Sequence, residues 1–147
     1  MPRHLPVVLL LGFAALACKP APPPVPPAES ASSAPAAAVT ILSPRSGDTT
    51  DASLTVRLAV SGATVVPADG SHMDGQGHHH LFVDVDPTPS DSVIPKREGV
   101  YHIGTGADSL RLERLAPGPH RLIAVFAYGD HVPMTSVKPD TVNFVVR

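Results

Sequence analysis

Alternation of apolar and polar positions sets in at Val39 and continues in short bursts to Val146. Val39-Thr-Ile-Leu-Ser-Pro44 predicts a first strand, stopped by Pro44 and the turn residues Ser46-Gly47-Asp48. Leu54, Val56, Leu58 and Val60 then alternate with Thr55, Arg57, Ala59 and Ser61, the period of a strand with one buried and one wet face. Gly62 closes it. A polar connection follows from Ala63 to Gly77, longer than a hairpin loop and of a length that tends to carry function.

The most informative stretch comes next, Gly77-His78-His79-His80-Leu81-Phe82-Val83-Asp84-Val85-Asp86. Leu81 to Val85 is rich in β-formers and is closed by Asp86-Pro87, so it reads as a strand ended by a turn. Strand alternation puts His78, His80, Phe82 and Asp84 on one face and His79, Leu81, Val83 and Val85 on the other, apolar face. Val100–Ile103 and the Leu110–Leu115 segment predict two further strands, the latter ending at Pro117-Gly118-Pro119. From His120 to Tyr128 the chain is apolar on both faces through Leu122-Ile-Ala-Val-Phe-Ala127, the mark of a central strand. Thr141–Val146 supplies the last.

Seven strands in about 109 residues, with no convincing helical window, predict an all-β, immunoglobulin- or fibronectin-like sandwich over residues 39–147. A small barrel or jelly roll is the nearest rival. The chain has no Trp and one Cys, so the buried tryptophan and disulfide of antibody domains are both missing.

Residues 1–38 have a different composition. Arg3 and His4 precede the apolar run Pro6–Ala17, which is too short to cross a bilayer comfortably, and the run ends in Ala15-Leu16-Ala17-Cys18. Small residues before a lone cysteine resemble the lipobox of bacterial lipoproteins, which implies a signal peptide over 1–17 and acylation of the Cys18 thiol. An ordinary signal peptide cut near Ala17, or an anchor helix, is the alternative. Lys19 rather than an acidic residue after the cysteine favours, by the same resemblance, the outer membrane facing the periplasm. Seven prolines within residues 19–38 make 18–38 a disordered, extended tether. The formal charge of −2 gives no electrostatic reason to expect nucleic acid as a partner.

Seven histidines lie beyond the tether: His72, His78, His79, His80, His102, His120 and His131. If the histidine strand and the His120 strand are antiparallel neighbours, Gly129-Asp-His-Val-Pro-Met134 returns to the start of the triplet. One end of the domain then gathers His78, His80, His131 and Met134. His79, His102, His72, Met73, Asp84 and Asp130 stand as supporting or alternative ligands, and His120 falls at the far end as a surface or capping residue. Imidazole with thioether suits copper, and imidazole with carboxylate suits zinc or oxidised copper. Against metal binding stands a purely structural role, in which each ring bonds to a backbone carbonyl or a carboxylate. A catalytic role has little support, since there is no Gly-x-Ser-x-Gly elbow and no paired carboxylates. Asp84, Asp86 and Asp91 as a calcium site rest only on turn chemistry.

The blocks Gly77-His-His-His-Leu-Phe-Val-Asp84, Tyr101-His-Ile-Gly-Thr-Gly106, Leu115-Ala-Pro-Gly-Pro-His-Arg-Leu122 and Tyr128-Gly-Asp-His-Val-Pro133 resemble the bacterial envelope family known as domain of unknown function 4399. The resemblance implies a small exported sandwich and brings no activity with it. Where that family shows His-x-His before its glycine turn, this chain has Val100 and His102, and where it shows His-Val-Pro-His, this chain has Met134. The expectation is therefore a non-enzymatic, lipid-anchored envelope module that holds copper or zinc. Its alternative is a scaffold domain that contacts an envelope protein or glycan.

Overall fold

A computed structural model describes residues 36–147. The expected signal peptide, Cys18 and nearly all of the tether lie outside these residues. The strands are β1 (Ala38–Ser43), β2 (Thr49–Thr50), β3 (Leu54–Ser61), β4 (Thr64–Val65), β5 (Gln76–Val83), β6 (Val100–Ile103), β7 (Ser109–Leu112), β8 (Gly118–Ala127) and β9 (Asp140–Val146). The seven expected strands are all present among the described residues. Two-residue strands β2 and β4 are additions that alternation cannot reveal, because a pattern needs more than one period.

Two sheets form. One has the order β1-β3-β7, and the other runs β2-β9-β8-β5-β4 with β6 also paired to β5. Val39, Ile41, Val56, Leu58 and Leu112 of the small sheet are buried with Leu81, Leu122, Phe126, Val142 and Phe144 of the large one in a single apolar core. This is the two-layer sandwich that the alternation implies. The large phenyl rings dominate it, at roughly 1.5–3 kcal/mol for each fully buried side chain.

The large sheet is also covered on its outer face. Phe82, Ile123, Val125 and Ala127 point away from the main core and are buried with Ile94, which the long connection between β5 and β6 lays across them. Burial on both sides explains why β8 reads as a continuous apolar run rather than an alternating one.

The strand alternation holds from His78 to Val83 and then fails. Asp84 takes φ 58°, a left-handed conformation, and the turn carries Val85 to the Phe82 side instead of the Leu81 side. Asp84 thereby lies at the opposite end of β5 from the triplet. Its carboxylate accepts from His120 Nδ1 at 2.6 Å and from the Arg121 backbone N–H at 2.8 Å. In the same way Arg114, at φ 58°, ends β7 before Leu115 can extend it.

His120 is a cap, as its position suggests, though not a surface group, since its side chain is 9% exposed. The ring lies on Phe144, and Nε2 bonds to the Ala116 carbonyl at 2.7 Å. Burial opposes its charge, but the bonds to Ala116 and Asp84 outweigh burial and raise its pKa above 6.5. A raised folded-state pKa contributes stability that is complete below the unfolded value and is lost as pH rises through the folded one. The stability difference between the native chain and His120→Asn, from urea denaturation, is therefore expected to be larger at pH 6 than at pH 8.5. An equal difference at both would show that the ring acts through packing alone.

Candidate metal centre

The site is built on the antiparallel pairing of β5 with β8, in which His78 stands opposite Ala127 and His80 opposite Val125. Gly77 permits the approach: a Cβ there would lie 2.1 Å from the Ala127 carbonyl oxygen. On the other side of β5, His80 faces His102 of β6. Cross-strand partners project to one face, so His78, His80 and His102 share the outer face of the large sheet with Phe82.

The fourth ring arrives with the turn after β8. Tyr128 N–H donates to the Val132 carbonyl, His131 N–H donates to the Tyr128 carbonyl, and Pro133 bridges back to Ala127. His131 itself sits at φ 70°. A non-glycine residue in this region costs on the order of 1–3 kcal/mol and persists where the surroundings over-determine it. Here the surroundings are named bonds. Ile94 N–H donates to the His131 carbonyl at 2.9 Å, Gly70 N–H to the Gly129 carbonyl, and Asp130 N–H to the Ser71 carbonyl.

One ring nitrogen from each of His78, His80, His102 and His131 lies within 4.8 Å of the others. His78 and His80 approach to 3.0 Å between Nε2 atoms, and His102 and His131 to 3.2 Å. All six ring-centroid separations fall between 4.7 and 5.6 Å. Four points with six near-equal separations are the corners of a tetrahedron. An ion about 2.0–2.1 Å from each of four imidazole nitrogens would set those nitrogens about 3.3 Å apart and the ring centroids about 5 Å apart. The donor set therefore fits a tetrahedral metal in both type and spacing.

Electrostatics keep the set in the form that ligation needs. Burial, reinforced by the neighbouring rings, pushes His78 down to about 4 and His80 down to about 3, and burial with the adjacent His131 ring lowers His102. His78, His80 and His102 are therefore neutral at neutral pH, the form in which an imidazole ligates. The structural alternative required bonds outward to backbone or carboxylate. None of the four rings makes one among the described residues, and Nδ1 of both His78 and His80 is buried without a partner.

The remaining candidates separate. Met134, expected beside these rings, is 2% exposed in the core between the sheets, on the Phe126 side of β8, so His102 takes the fourth place instead. The physical reason is the Ala127–Pro133 bridge, which turns the following residue inward. His79 also faces the inner core, edge-on to Phe126 at 5.2 Å, with neither ring nitrogen bonded, so it orients no ligand. His72 and Asp130 pair with each other at 2.7 Å, the second carboxylate oxygen accepts from Val132 N–H, and the His72 ring stacks on Tyr128 at 3.7 Å. They brace the turn that carries His131. Met73 is 53% exposed and points to solvent. Asp84 is engaged at the far end of β5. Gly104 was missed by pattern reading: a Cβ there would lie 2.2 Å from the His102 ring, so the glycine leaves room for the imidazole.

Residues 56–147 match the family model described as Domain of unknown function (DUF4399). The chain belongs to this family. No curated protein matches this DUF4399 chain. Among solved structures it is similar to fibronectin(III)-like modules of Clostridium thermocellum CbhA, at 14% identity and a TM-score of 0.43, covering 74% of this chain and 95% of that one. It is also similar to the extracellular domain of BT4673 from B. thetaiotaomicron, at 10% identity and a TM-score of 0.42, covering 75% of this chain and 15% of that one.

His79 gives a prediction separate from the tetrad. Its pKa is pushed down to about 4 by burial, so below pH 6.5 the unfolded chain binds protons that the folded DUF4399 domain refuses. Stability from such a group is present above the unfolded value and falls as pH drops towards the folded one. His79→Leu also removes two unpartnered buried nitrogens, a penalty of about 1–3 kcal/mol when left unmade. With chelator present, the variant is expected to be at least as stable as the native chain at pH 7.5 and to lose less between pH 7.5 and pH 5. Urea denaturation at the two pH values decides it.

Proposed function

We propose that this chain is a non-enzymatic cell-envelope module that binds one transition-metal ion, zinc or copper, through His78, His80, His102 and His131. The observation that carries the reading is that four imidazoles meet in a tetrahedron while none of them bonds to backbone or carboxylate. Four nitrogen donors suit zinc and copper alike. Copper lost its separate support when Met134 proved to lie in the core, since only a thioether would have favoured the reduced ion.

The envelope part of the proposal rests on residues 1–38. The lipobox-like Ala15-Leu-Ala-Cys18 would anchor the chain by acyl groups on Cys18, and the proline-rich tether would hold the sandwich away from the membrane. An outer-membrane location facing the periplasm follows from Lys19 on the same reasoning.

Metal analysis of the purified protein after exposure to zinc or copper should return one ion per chain. Saturation at 100 times the dissociation constant should stabilise the fold by about 2.7 kcal/mol, a rise in Tm of about 10 °C. His80→Ala with His131→Ala should abolish both effects. Gly104→Ala is a finer probe, because the new methyl displaces the His102 ring without touching another ligand. It is expected to keep the fold and weaken binding. Absence of stoichiometric metal from the native chain removes the proposal and leaves a tethered sandwich that contacts a protein or glycan partner.

A further inference from the structure

The four rings are not equally enclosed. His78 and His80 are buried at 0% and 2% exposure, whereas His102 and His131 lie on the solvent side. Against that side opens a cavity of about 570 Å³, whose floor is His80, His102 and His131. Its size is in the range of small-molecule sites. Ile94 and Val100, both packed against the outer apolar cluster, form its wall with Val93, and Lys96 stands at its rim.

The charge balance of this region is one-sided. The tetrad contains no anionic ligand, so a bound divalent ion would keep its full charge. The carboxylates nearby are engaged elsewhere: Asp130 with His72 and Val132 N–H, Asp74 with the Tyr128 hydroxyl, and Asp69, which acts on His78 through space, with Ser71 N–H. Lys96 forms no ion pair among the described residues. A cavity with a cation held by neutral ligands at its floor, an ammonium at its rim and hydrocarbon on its wall is complementary to a small amphiphilic anion.

We propose that the cavity binds a small organic carboxylate, whose head group enters the coordination sphere of the metal beside Lys96 and whose hydrocarbon part lies against Val93, Ile94 and Val100. This inference rests on the metal reading above. Zinc in a tetrahedral site sometimes expands to five ligands, so the carboxylate would add to the four imidazoles without displacing one.

The test uses the copper(II)-loaded full chain, with metal content measured first, and follows the copper visible and electron paramagnetic resonance spectra during titration with acetate and then butyrate. Saturable spectral change is expected, with butyrate binding about tenfold more tightly than acetate, since two additional methylenes are buried. Lys96→Met, a substitution at an exposed position, should weaken both acids about fivefold while leaving copper stoichiometry at one. If copper does not load, the metal reading itself fails. If copper loads but the spectra ignore both acids, or if affinity depends neither on chain length nor on Lys96, the metal reading stands and the carboxylate pocket is overturned.

Discussion

The register between β5 and β8 is the constraint on which the rest of this structure depends. Setting His78 opposite Ala127 and Val83 opposite Leu122 does two things at once. It buries Leu81, Val83, Leu122 and Phe126 on the inner face, and it delivers the chain leaving β8 to the point where the histidine triplet begins. A slip of one residue would exchange the faces of every side chain in the strand. His78 and His80 would then enter the apolar core, and His79 would stand alone outside.

The outer face shows how a sandwich can carry a polar site without exposing it. An immunoglobulin-like sheet ordinarily wets its outer surface. Here the connection between β5 and β6 lays Ile94 over Phe82, Ile123 and Val125, and Ile94 is also the residue whose N–H holds the His131 carbonyl. One backbone bond thus joins the hydrophobic cover to the strained turn that presents an imidazole. The Ala63–Gly77 connection secures the same turn from the other side through Ser71, His72 and Gly70. Its length is explained by that bracing role.

Histidines serve opposite ends of β5 in opposite ways. At the far end, His120 has both nitrogens bonded, to Asp84 and Ala116, and its pKa rises despite burial. At the near end, His78 and His80 meet only other imidazoles, and their pKa values fall. The same side chain is a structural strut where a carboxylate and a carbonyl receive it and a candidate ligand where neither does. That contrast between the two ends of one strand pair separates the two roles that composition alone leaves open.

Much of the fold and part of the site could be read from the chain itself. Period-two alternation located the seven longer strands, continuous apolarity marked β8 as central, and the spacing of the triplet and the Asp130-His131-Val132-Pro133 turn brought His78, His80 and His131 together. Local pattern has this power because each strand must satisfy one buried face on its own. The fourth imidazole, the burial of Met134 and the outward turn at Asp84 were decided only in three dimensions. His102 joins the cluster because β6 pairs with β5 in a particular register, and Met134 leaves it because a single bridge at Pro133 rotates the next side chain inward. Sequence determines which residues a strand can offer to each of its faces; the pairing of strands and the left-handed turns between them determine which of those offers meet.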